Sequence, residues 1–545
     1  MRKKNLFMLA LASMAFVACS NEDIVPVVED IDYGVVTDPT GEAWVAMAIK
    51  TPSQANSRGL NNPDYQNGTA VESELKKVRA IFFTADVDPE VTADITLTNA
   101  EAGVDATGQP TGSAGTAFKV PATSKRILIV ANPSSTFQND GVNNKWITGT
   151  KYSVVNAALT NTAASISSTN GFMMTNAKGD LEPSVTDAGA TLGDPKDLSL
   201  YKTDAGAKAN PLTINIDRVV AKVRVTITQT SAKADISDAK WVLNTTNKSY
   251  YPLSKRTPTW LEQQNVPTGG FRAPFDQYKK GSYRIDPNYT SHAGAYNVYD
   301  ETHDEVANPI PWHLTTESEY CLENTQNKAG NTHDNTTQIL VKAKYMPKEY
   351  KTADGQTTTD QEISKDWMMI DGGFYTFTTL MDWIEAELNY KYLSNHPDPS
   401  IITTPLTTAL NKYLDDIGVT AITLPATADA AAIALLKTAF TAKQAAVELE
   451  DDRAKTVGVL TYYKGGYSFY KAMIKHDDTN LAVNELGEFG VVRNSVYDIT
   501  VTKFNEPGYP TIPPVTADPD EDDDLRMSIL IDVNPWTWYT QEVEF

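Results

Sequence analysis

Residues 212–228 read LTINIDRVVAKVRVTIT, and this stretch decides the fold class. Apolar side chains occupy every second position from Leu212 to Ile216, and the pattern resumes from Val219 to Thr228. Alternation with a period of two is typical of a β-strand that buries one face. The stretch therefore predicts two consecutive strands.

Similar β-rich runs, each bounded by turn residues, occur on both sides of this stretch. They are Val78–Phe83, Arg126–Val130, Lys240–Leu243, Gln338–Tyr345, Tyr467–Met473 and Val496–Val501. No helical pattern separates the early runs, which favours a mostly antiparallel β-sandwich over a parallel sheet. At 545 residues the chain is too long for one core, so we expect two halves that meet within residues 229–238.

One block, residues 379–457, has the pattern of helices instead. Thr404 can cap a helix whose first residue is Pro405, and Leu406 and Leu410 begin its apolar stripe. Such a stripe packs against a core more often than it binds a partner. We therefore expect a helical insertion in the second half.

Charge and cysteine content exclude two broad classes of protein. The net charge of −22 argues against a nucleic-acid partner, because such proteins present clustered Lys and Arg to phosphates. Cys19 and Cys321 are the only cysteines, too few for the disulfide framework of a small secreted domain. The chain must be stabilised by burial of apolar surface.

Cys19 ends a short export signal, residues 1–19. Cationic residues at 2–4 precede an apolar segment at 6–17 that is too short for a membrane span. Phe16-Val17-Ala18 before the cysteine resembles a bacterial lipobox, which predicts a lipid on Cys19. A plain secretory signal with an accidental cysteine is the alternative.

Residues 20–58 are predicted to be a propeptide that carries the first strand. Val45, Met47 and Ile49 alternate with alanines, as a strand with one face in a core does. Asn, Ser and Gly residues around Arg58 and Gly59 favour an exposed loop that a protease can bind. We expect this loop either to be cut after Arg58 or to be an ordinary surface loop.

The C-terminal residues 506–545 combine a linker with a last strand. Residues 505–524 are rich in proline and then acidic, which predicts an extended, solvated tether. Ile529, Ile531 and Val533 alternate with Ser528, Leu530 and Asp532. This strand could pair with another copy of the chain or close its own domain.

Catalytic and metal-binding patterns are absent from the sequence. It contains no G-x-S-x-G, Walker A, H-E-x-x-H or C-x-x-C motif, and its six histidines are scattered. Cys321 has no nucleophile signature around it. We therefore expect no enzyme, no cofactor and no metal site. A surface glycan-binding protein stays possible, with Trp260, Trp312 and Trp367 as candidate contacts.

Several of these segments, in their order along the chain, resemble the major fimbrillins of type V pili, and most closely the shaft subunit of the minor fimbriae of Bacteroidia. The matching segments are Val45–Ile49, Asn56–Gly59, Asn62–Tyr65, Arg218–Val223, Lys240–Leu243, Tyr251–Arg256, Leu322–Thr325, Val491–Tyr497 and Val533–Trp536. The helical block and the short proline linker depart from that pattern.

The resemblance implies a lipoprotein precursor on the outer membrane and then an extracellular fimbrium. It implies two transthyretin-like β-sandwich domains, at 59–233 and 234–505. It also implies cleavage after an arginine and polymerisation by strand exchange, in which Ile529, Ile531 and Val533 replace the first strand of a neighbour. Trp536 and Trp538 would then pack at the subunit junction. Partners would be further copies and accessory tip and anchor fimbrillins; an accessory subunit is the alternative identity, and the adhesion target stays unknown.

Overall fold

The computed structural model describes the chain in segments. These are residues 34–51, 68–137, 144–168, 170–176, 196–253, 255–256, 284–289, 296–326, 330, 332–362, 365–370, 372–376, 378–379, 382, 460–476, 488–518 and 527–535.

The first part of the chain is built from short helices and a set of strands. They are β1 (Glu42–Val45), β2 (Met47–Lys50), α1 (Ala70–Ser73), β3 (Val78–Phe83), β4 (Val91–Leu97), α2 (Asn99–Ala102), β5 (Phe118–Pro121), β6 (Arg126–Ala131), α3 (Tyr152–Val155), β7 (Leu159–Thr160), α4 (Ala163–Ile166), β8 (Ser167–Ser168), β9 (Gly171–Phe172), β10 (Met174–Asn176), β11 (Lys196–Asp197), α5 (Asp204–Ala209) and β12 (Leu212–Arg218).

The second part of the chain consists of strands and one 3-10 turn. They are β13 (Val220–Ile227), β14 (Ala234–Asn244), β15 (Thr246–Asn247), β16 (Ser249–Tyr250), β17 (Lys255–Arg256), β18 (Arg284–Ile285), β19 (Tyr296–Asn297), β20 (Ser318–Leu322), β21 (Gln338–Pro347), β22 (Tyr350–Lys351), β23 (Thr357–Thr358), β24 (Trp367–Ile370), β25 (Gly373–Tyr375), β26 (Leu460–Tyr463), a 3-10 helix (Lys464–Gly466), β27 (Tyr467–Met473), β28 (Ser495–Phe504) and β29 (Met527–Pro535).

A seven-stranded sheet organises the first half. Its order is β2-β12-β10-β6-β3-β4, and β11 also pairs with β6. The central strands β3 and β6 are buried on both faces, which explains their near-continuous apolar sequences. The core cluster of this half also contains Leu322 and Val496 from the second half, so the two halves share apolar packing.

Two sheets organise the second half. One has the order β20-β13-β28-β29 and the other the order β14-β21-β27. Apolar residues of both sheets join one core cluster, in which Trp241 and Tyr470 are among the largest fully buried side chains. Two sheets around one core is the arrangement of a β-sandwich.

The chain passes from the first half to the second through a single residue. Val219 separates β12, which lies in the seven-stranded sheet, from β13, which lies in the four-stranded sheet. Asn494 of the second half reinforces this point, because its backbone N–H donates to the Val220 carbonyl at 2.9 Å and its amide to Asp217 Oδ1 at 2.9 Å.

The mainly β class predicted from the sequence is confirmed, since the described α-helices have only four to six residues each. Strand pairing is mostly antiparallel, and β2 with β12 and β13 with β28 are parallel pairs. The expected division at 233/234 stays a prediction, although β13 already pairs with strands that follow it. The transthyretin-like detail also stays a prediction. Apart from residues 379 and 382, the helical block 379–457 lies outside the described residues.

Candidate functional site

The first strand joins two sheets at the edge of the N-terminal half. Its first segment, β1, pairs antiparallel with β5, and its second segment, β2, pairs parallel with β12. Strand β2 is an edge strand of the seven-stranded sheet, so no further strand of that sheet lies beyond it. Removing residues 42–50 would therefore leave β5 without its partner and uncover the edge of β12, while the rest of the seven-stranded sheet stays paired.

Side chains of the first strand fill the core on one face and a small cluster on the other. Val45, Met47 and Ile49 are at most 1% exposed and belong to the main core cluster of the N-terminal half. Ala46 is 1% exposed and packs with Ala117 and Ala207. The alternation predicted only one buried face, but both are buried, because Ala46 packs in a second cluster against which Trp44 and Tyr201 are partly buried.

Burial gives the size of the contribution that the first strand makes. Each fully buried Val, Ile or Met side chain stabilises a fold by about 1.5–3 kcal/mol. Val45, Met47 and Ile49 together therefore contribute roughly 5–9 kcal/mol. That is comparable with the whole stability of an ordinary domain, about 5–15 kcal/mol.

The C-terminal strand β29 lies at the edge of the four-stranded sheet of its own chain. It pairs antiparallel with β28 from Ser495 opposite Pro535 to Phe504 opposite Met527. Ile529, Ile531 and Val533 lie opposite Val501, Ile499 and Tyr497. The single chain thus adopts the self-paired arrangement, and transfer of the strand to another copy stays a prediction.

The proline-rich segment before β29 is packed against the body, unlike the solvated tether expected from the sequence. Tyr509 exchanges two backbone hydrogen bonds with Phe469, at 2.8 and 2.7 Å, and Ile512 is 4% exposed. Gly508 lies so close to Phe469 that a Cβ atom would be 2.1 Å from its carbonyl oxygen. The Asp518 carbonyl accepts a hydrogen bond from the His333 backbone N–H at 3.1 Å. Apolar residues between the prolines were the signal that this segment is docked.

A buried polar cluster holds the segment that follows the expected cleavage loop. Glu72 Oε1 accepts hydrogen bonds from Lys222 Nζ at 2.8 Å and from the Tyr320 hydroxyl at 2.6 Å. Arg218 donates to the Glu72 carbonyl at 2.8 Å and to Ser73 Oγ at 2.9 Å. The sequence analysis did not single out these residues, although Thr69 and Glu72 have capping-box spacing.

Glu72 is held ionised by these donors. Burial alone would raise its pKa, but hydrogen bonds from Lys222, Tyr320 and the Thr69 backbone outweigh burial. The pKa of Glu72 therefore lies below its ordinary value. Since Tyr320 belongs to β20, helix α1 is tied to the second half of the chain as well as to the first.

Several expected site residues lie outside the described residues. They are Cys19, Arg58, Gly59, Trp260, and, beyond β29, Trp536 and Trp538. Trp367 is fully buried, and Trp312 is half-buried with its indole N–H bonded to Glu305 at 3.2 Å. These two tryptophans therefore do not form an exposed platform for a glycan.

Other chemical signals in the described segments are structural. Burial raises the pKa of the Cys321 thiol, so this cysteine is inert as a nucleophile. Within the segments that the structure describes, no group of three or more His, Cys, Asp or Glu residues could hold a metal ion. No helix in those same segments is long and apolar enough to cross a membrane.

Comparison with protein families gives one match, and it covers the C-terminal strands. Residues 461–542 match the family described as major fimbrial subunit protein type IV, fimbrillin, C-terminal. The matched range includes β27, β28 and β29. Curated protein sequences give no match.

Solved structures with a similar chain course come from fimbrial and adhesion proteins. A Parabacteroides distasonis structure described as a cell adhesion protein is 12% identical, with 92% of this chain and 98% of that chain covered and a TM-score of 0.40. A fimbrilin (fimA) of Porphyromonas gingivalis is 15% identical, with 92% and 99% covered and a TM-score of 0.38. The tip fimbrial protein Mfa3 of Porphyromonas gingivalis is 11% identical, with 91% and 100% covered and a TM-score of 0.29.

The fold is mainly β, and the C-terminal match points to the class of fimbrial structural proteins, which are not enzymes. Its C-terminal segment is similar to fimbrillins, and the resemblance that the sequence analysis drew is confirmed.

Proposed function

We propose that this chain is the precursor of the shaft subunit of a surface fimbria that supports adhesion. Copies would polymerise when the first strand of one copy is removed and the C-terminal strand of another copy takes its place. The observation that carries the proposal is that the buried first strand, β1 and β2, lies at a sheet edge and precedes Arg58, the predicted cleavage site, in the chain.

Cleavage after Arg58 would break the only covalent link between the first strand and the body. Residues 42–50 precede Arg58, whereas all the other strands in the described segments follow it. The cut would leave the edge of β12 without its partner and the core without Val45, Met47 and Ile49. An unpaired edge next to an apolar groove favours the binding of another strand.

The C-terminal strand suits the role of replacement because it also lies at an edge. Its release breaks the ladder with β28 and withdraws Met527 from the core cluster of the second half, and it leaves the rest of its sheet paired. Eight residues, 519–526, link it to the docked Asp518, and such a link spans at most about 28 Å when extended. A strand from one copy entering the groove of the next gives a head-to-tail contact that does not close, which builds a filament.

The export signal supports a route to the cell surface. A lipid on Cys19 would hold the precursor at the outer membrane until cleavage releases it as a subunit of the extracellular fimbrium. Accessory tip and anchor fimbrillins would be partners of the same filament. A tip or anchor role for this chain itself is less favoured, because the sequence contains both a cleavage loop and an alternating last strand.

The test is sequencing and imaging of shed filaments from cells that express the chain. Filament subunits should begin at Gly59, and Arg58→Lys should abolish filaments if the protease is specific for arginine. A chain that ends at Asp524 should be cleaved and yet remain monomeric. Filament subunits that still carry Val45, or filaments of normal length from the truncated chain, would reject strand exchange.

A further inference from the structure

We infer that the C-terminal strand of a neighbouring copy enters the groove parallel to β12, with Ser528 in the position of Ala46. The inference rests on the proposed strand exchange and adds to it the direction and the register of the incoming strand. It follows from which positions of the departing strand tolerate a large side chain, a small one or a charge.

The first strand, β1 and β2, sets three requirements for the strand that replaces it. Val45, Met47 and Ile49 lie in the main core, so their positions need apolar side chains. Ala46 is 1% exposed and packs with Ala117 and Ala207 of the body, with Tyr201 partly buried against them, so a large side chain at its position would overpack this cluster. Lys50 is half-exposed, so its position accepts a charge.

One parallel register meets all three requirements. With Ser528 at the position of Ala46, Met527, Ile529 and Ile531 take the core positions of Val45, Met47 and Ile49. Asp532 then takes the half-exposed position of Lys50. Leu530 takes that of Ala48, which is 5% exposed and lies outside the cluster of Ala46, Ala117 and Ala207, so that an apolar side chain suits this position and a charge does not.

Shifted parallel registers fail at the alanine cluster. Only shifts by an even number of residues keep the apolar face of the incoming strand toward the core, because a shift of one residue turns every side chain to the opposite face. A shift of two brings Leu530 or Arg526 to the position of Ala46, and a further shift brings Asp532 there. Each of these puts a bulky or charged side chain against buried small residues.

Antiparallel registers fail as well. The one that brings Ser528 to the position of Ala46 also brings Arg526 to the position of Ala48, which is only 5% exposed. The others that fill the groove bring Leu530, Asp532 or Asn534 to the position of Ala46. The groove therefore discriminates against entry from the opposite direction.

What lies at each end of the seven-stranded sheet also favours a parallel incoming strand, and this argument does not depend on side-chain size. At one end Val78, Ala131, Met174 and Arg218 are level with one another, and the second half of the same chain packs there. Leu212 lies at the opposite end, next to Met47. A parallel strand places its own first residue, and therefore the subunit that supplies it, at this opposite end.

Among the described residues, that opposite end carries exposed apolar side chains. The loop after β3 carries Val87, which is fully exposed, and the segment hydrogen-bonded to it carries Ile147 and Val154 at 58% and 52% exposure. The bonds that join the two run from the backbone N–H of Gly149 to the Val91 carbonyl and from that of Ser153 to Asp88. A second copy of this chain is the occupant that a parallel donor strand brings to this surface.

The closing experiment uses cysteine pairs in the full chain, cut with an arginine-specific endoprotease and then oxidised. In the inferred register Asp532 lies beside Asn215, because β2 places Lys50 opposite Asn215. Neighbouring strands are about 4.8 Å apart, within the reach of a disulfide. Asp532→Cys with Asn215→Cys should give covalent ladders of subunits after cleavage, and the matched pair Asp532→Cys with Thr213→Cys should not.

Substitutions at Ser528 give a second readout that needs no crosslink. Ser528→Ala should polymerise as the original chain does, and Ser528→Trp should not, while circular dichroism shows both precursors folded. Filaments that crosslink through position 213, or that form from Ser528→Trp at the original rate, overturn the register and leave strand exchange standing. An original chain that is cleaved and forms no filament overturns the proposed function and the register with it.

Discussion

A chain that begins at Gly59 should be far less stable than one that begins at Glu42, when both end at Asp524 so that neither can polymerise. The shorter chain lacks the three core side chains of the first strand, whose burial is worth roughly 5–9 kcal/mol. It also lacks the backbone ladder from Met47–Lys50 to Leu212–Asn215.

Urea unfolding followed by tryptophan fluorescence measures this difference, because Trp146 lies in the N-terminal half and Trp241 in the C-terminal half. The shorter chain should show an early transition for the N-terminal half and a second one near that of the longer chain. A synthetic peptide of residues 42–58, added in excess, should move the first transition back to higher urea concentration.

The presence of an open groove in the shorter chain would be refuted if both chains unfolded at the same urea concentration with the same slope. In that case the core would have closed over the vacated positions, and no groove would be available to a neighbour. The matched control is a Val45→Ala, Met47→Ala double variant of the longer chain. It keeps the backbone of the first strand and should lose about 4–8 kcal/mol of stability, because less apolar surface is buried and cavities remain.

Three further predictions concern residues outside the groove. Glu72→Gln should be less stable than the original chain at pH 7. The difference in stability should disappear as the pH falls through and below 4.5, because the lowered pKa of Glu72 stabilises the fold only above that range. Equal pH profiles of the melting temperature would contradict this prediction. Gly508→Val should destabilise the C-terminal half by about 1–3 kcal/mol, since its Cβ would meet the Phe469 carbonyl; an unchanged urea midpoint would show that the segment is not docked. Arg493→Met should cost about 3–5 kcal/mol by leaving Glu323 buried and unpaired, measured by the same unfolding assay, and a neutral result would mean that Glu323 is not buried as a charge.

The strands rich in apolar residues were predictable from sequence, and the reason is physical. Val78–Phe83, Arg126–Ala131 and Leu212–Arg218 bury most of their side chains, so selection for burial leaves a pattern in the apolar residues themselves. The first strand was predictable for the same reason, through Val45, Met47 and Ile49.

Contacts made by small or polar residues were not predictable. Ala46 gave no sign that it packs with Ala117 and Ala207, since these residues are far apart in sequence and a single alanine in a strand does not show what covers its face. The partners of Glu72 are far apart in sequence, at Lys222 and Tyr320, and only the folded chain brings them together. The docking of the proline-rich segment was missed because proline and acidic residues are also typical of free linkers.

The single residue between β12 and β13 has a mechanical consequence. A neighbour's strand that lies along β12 would pull on a backbone that continues through Val219 into β13, and β13 is paired in parallel with β28, next to β29. Tension along a filament would then pass through one continuous stretch of backbone, from β12, which binds the incoming strand, through Val219 to β13, which lies next to the base of the donated C-terminal strand. Because the ladder between β13 and β28 runs parallel to that pull, its hydrogen bonds would share the load in shear instead of opening one after another.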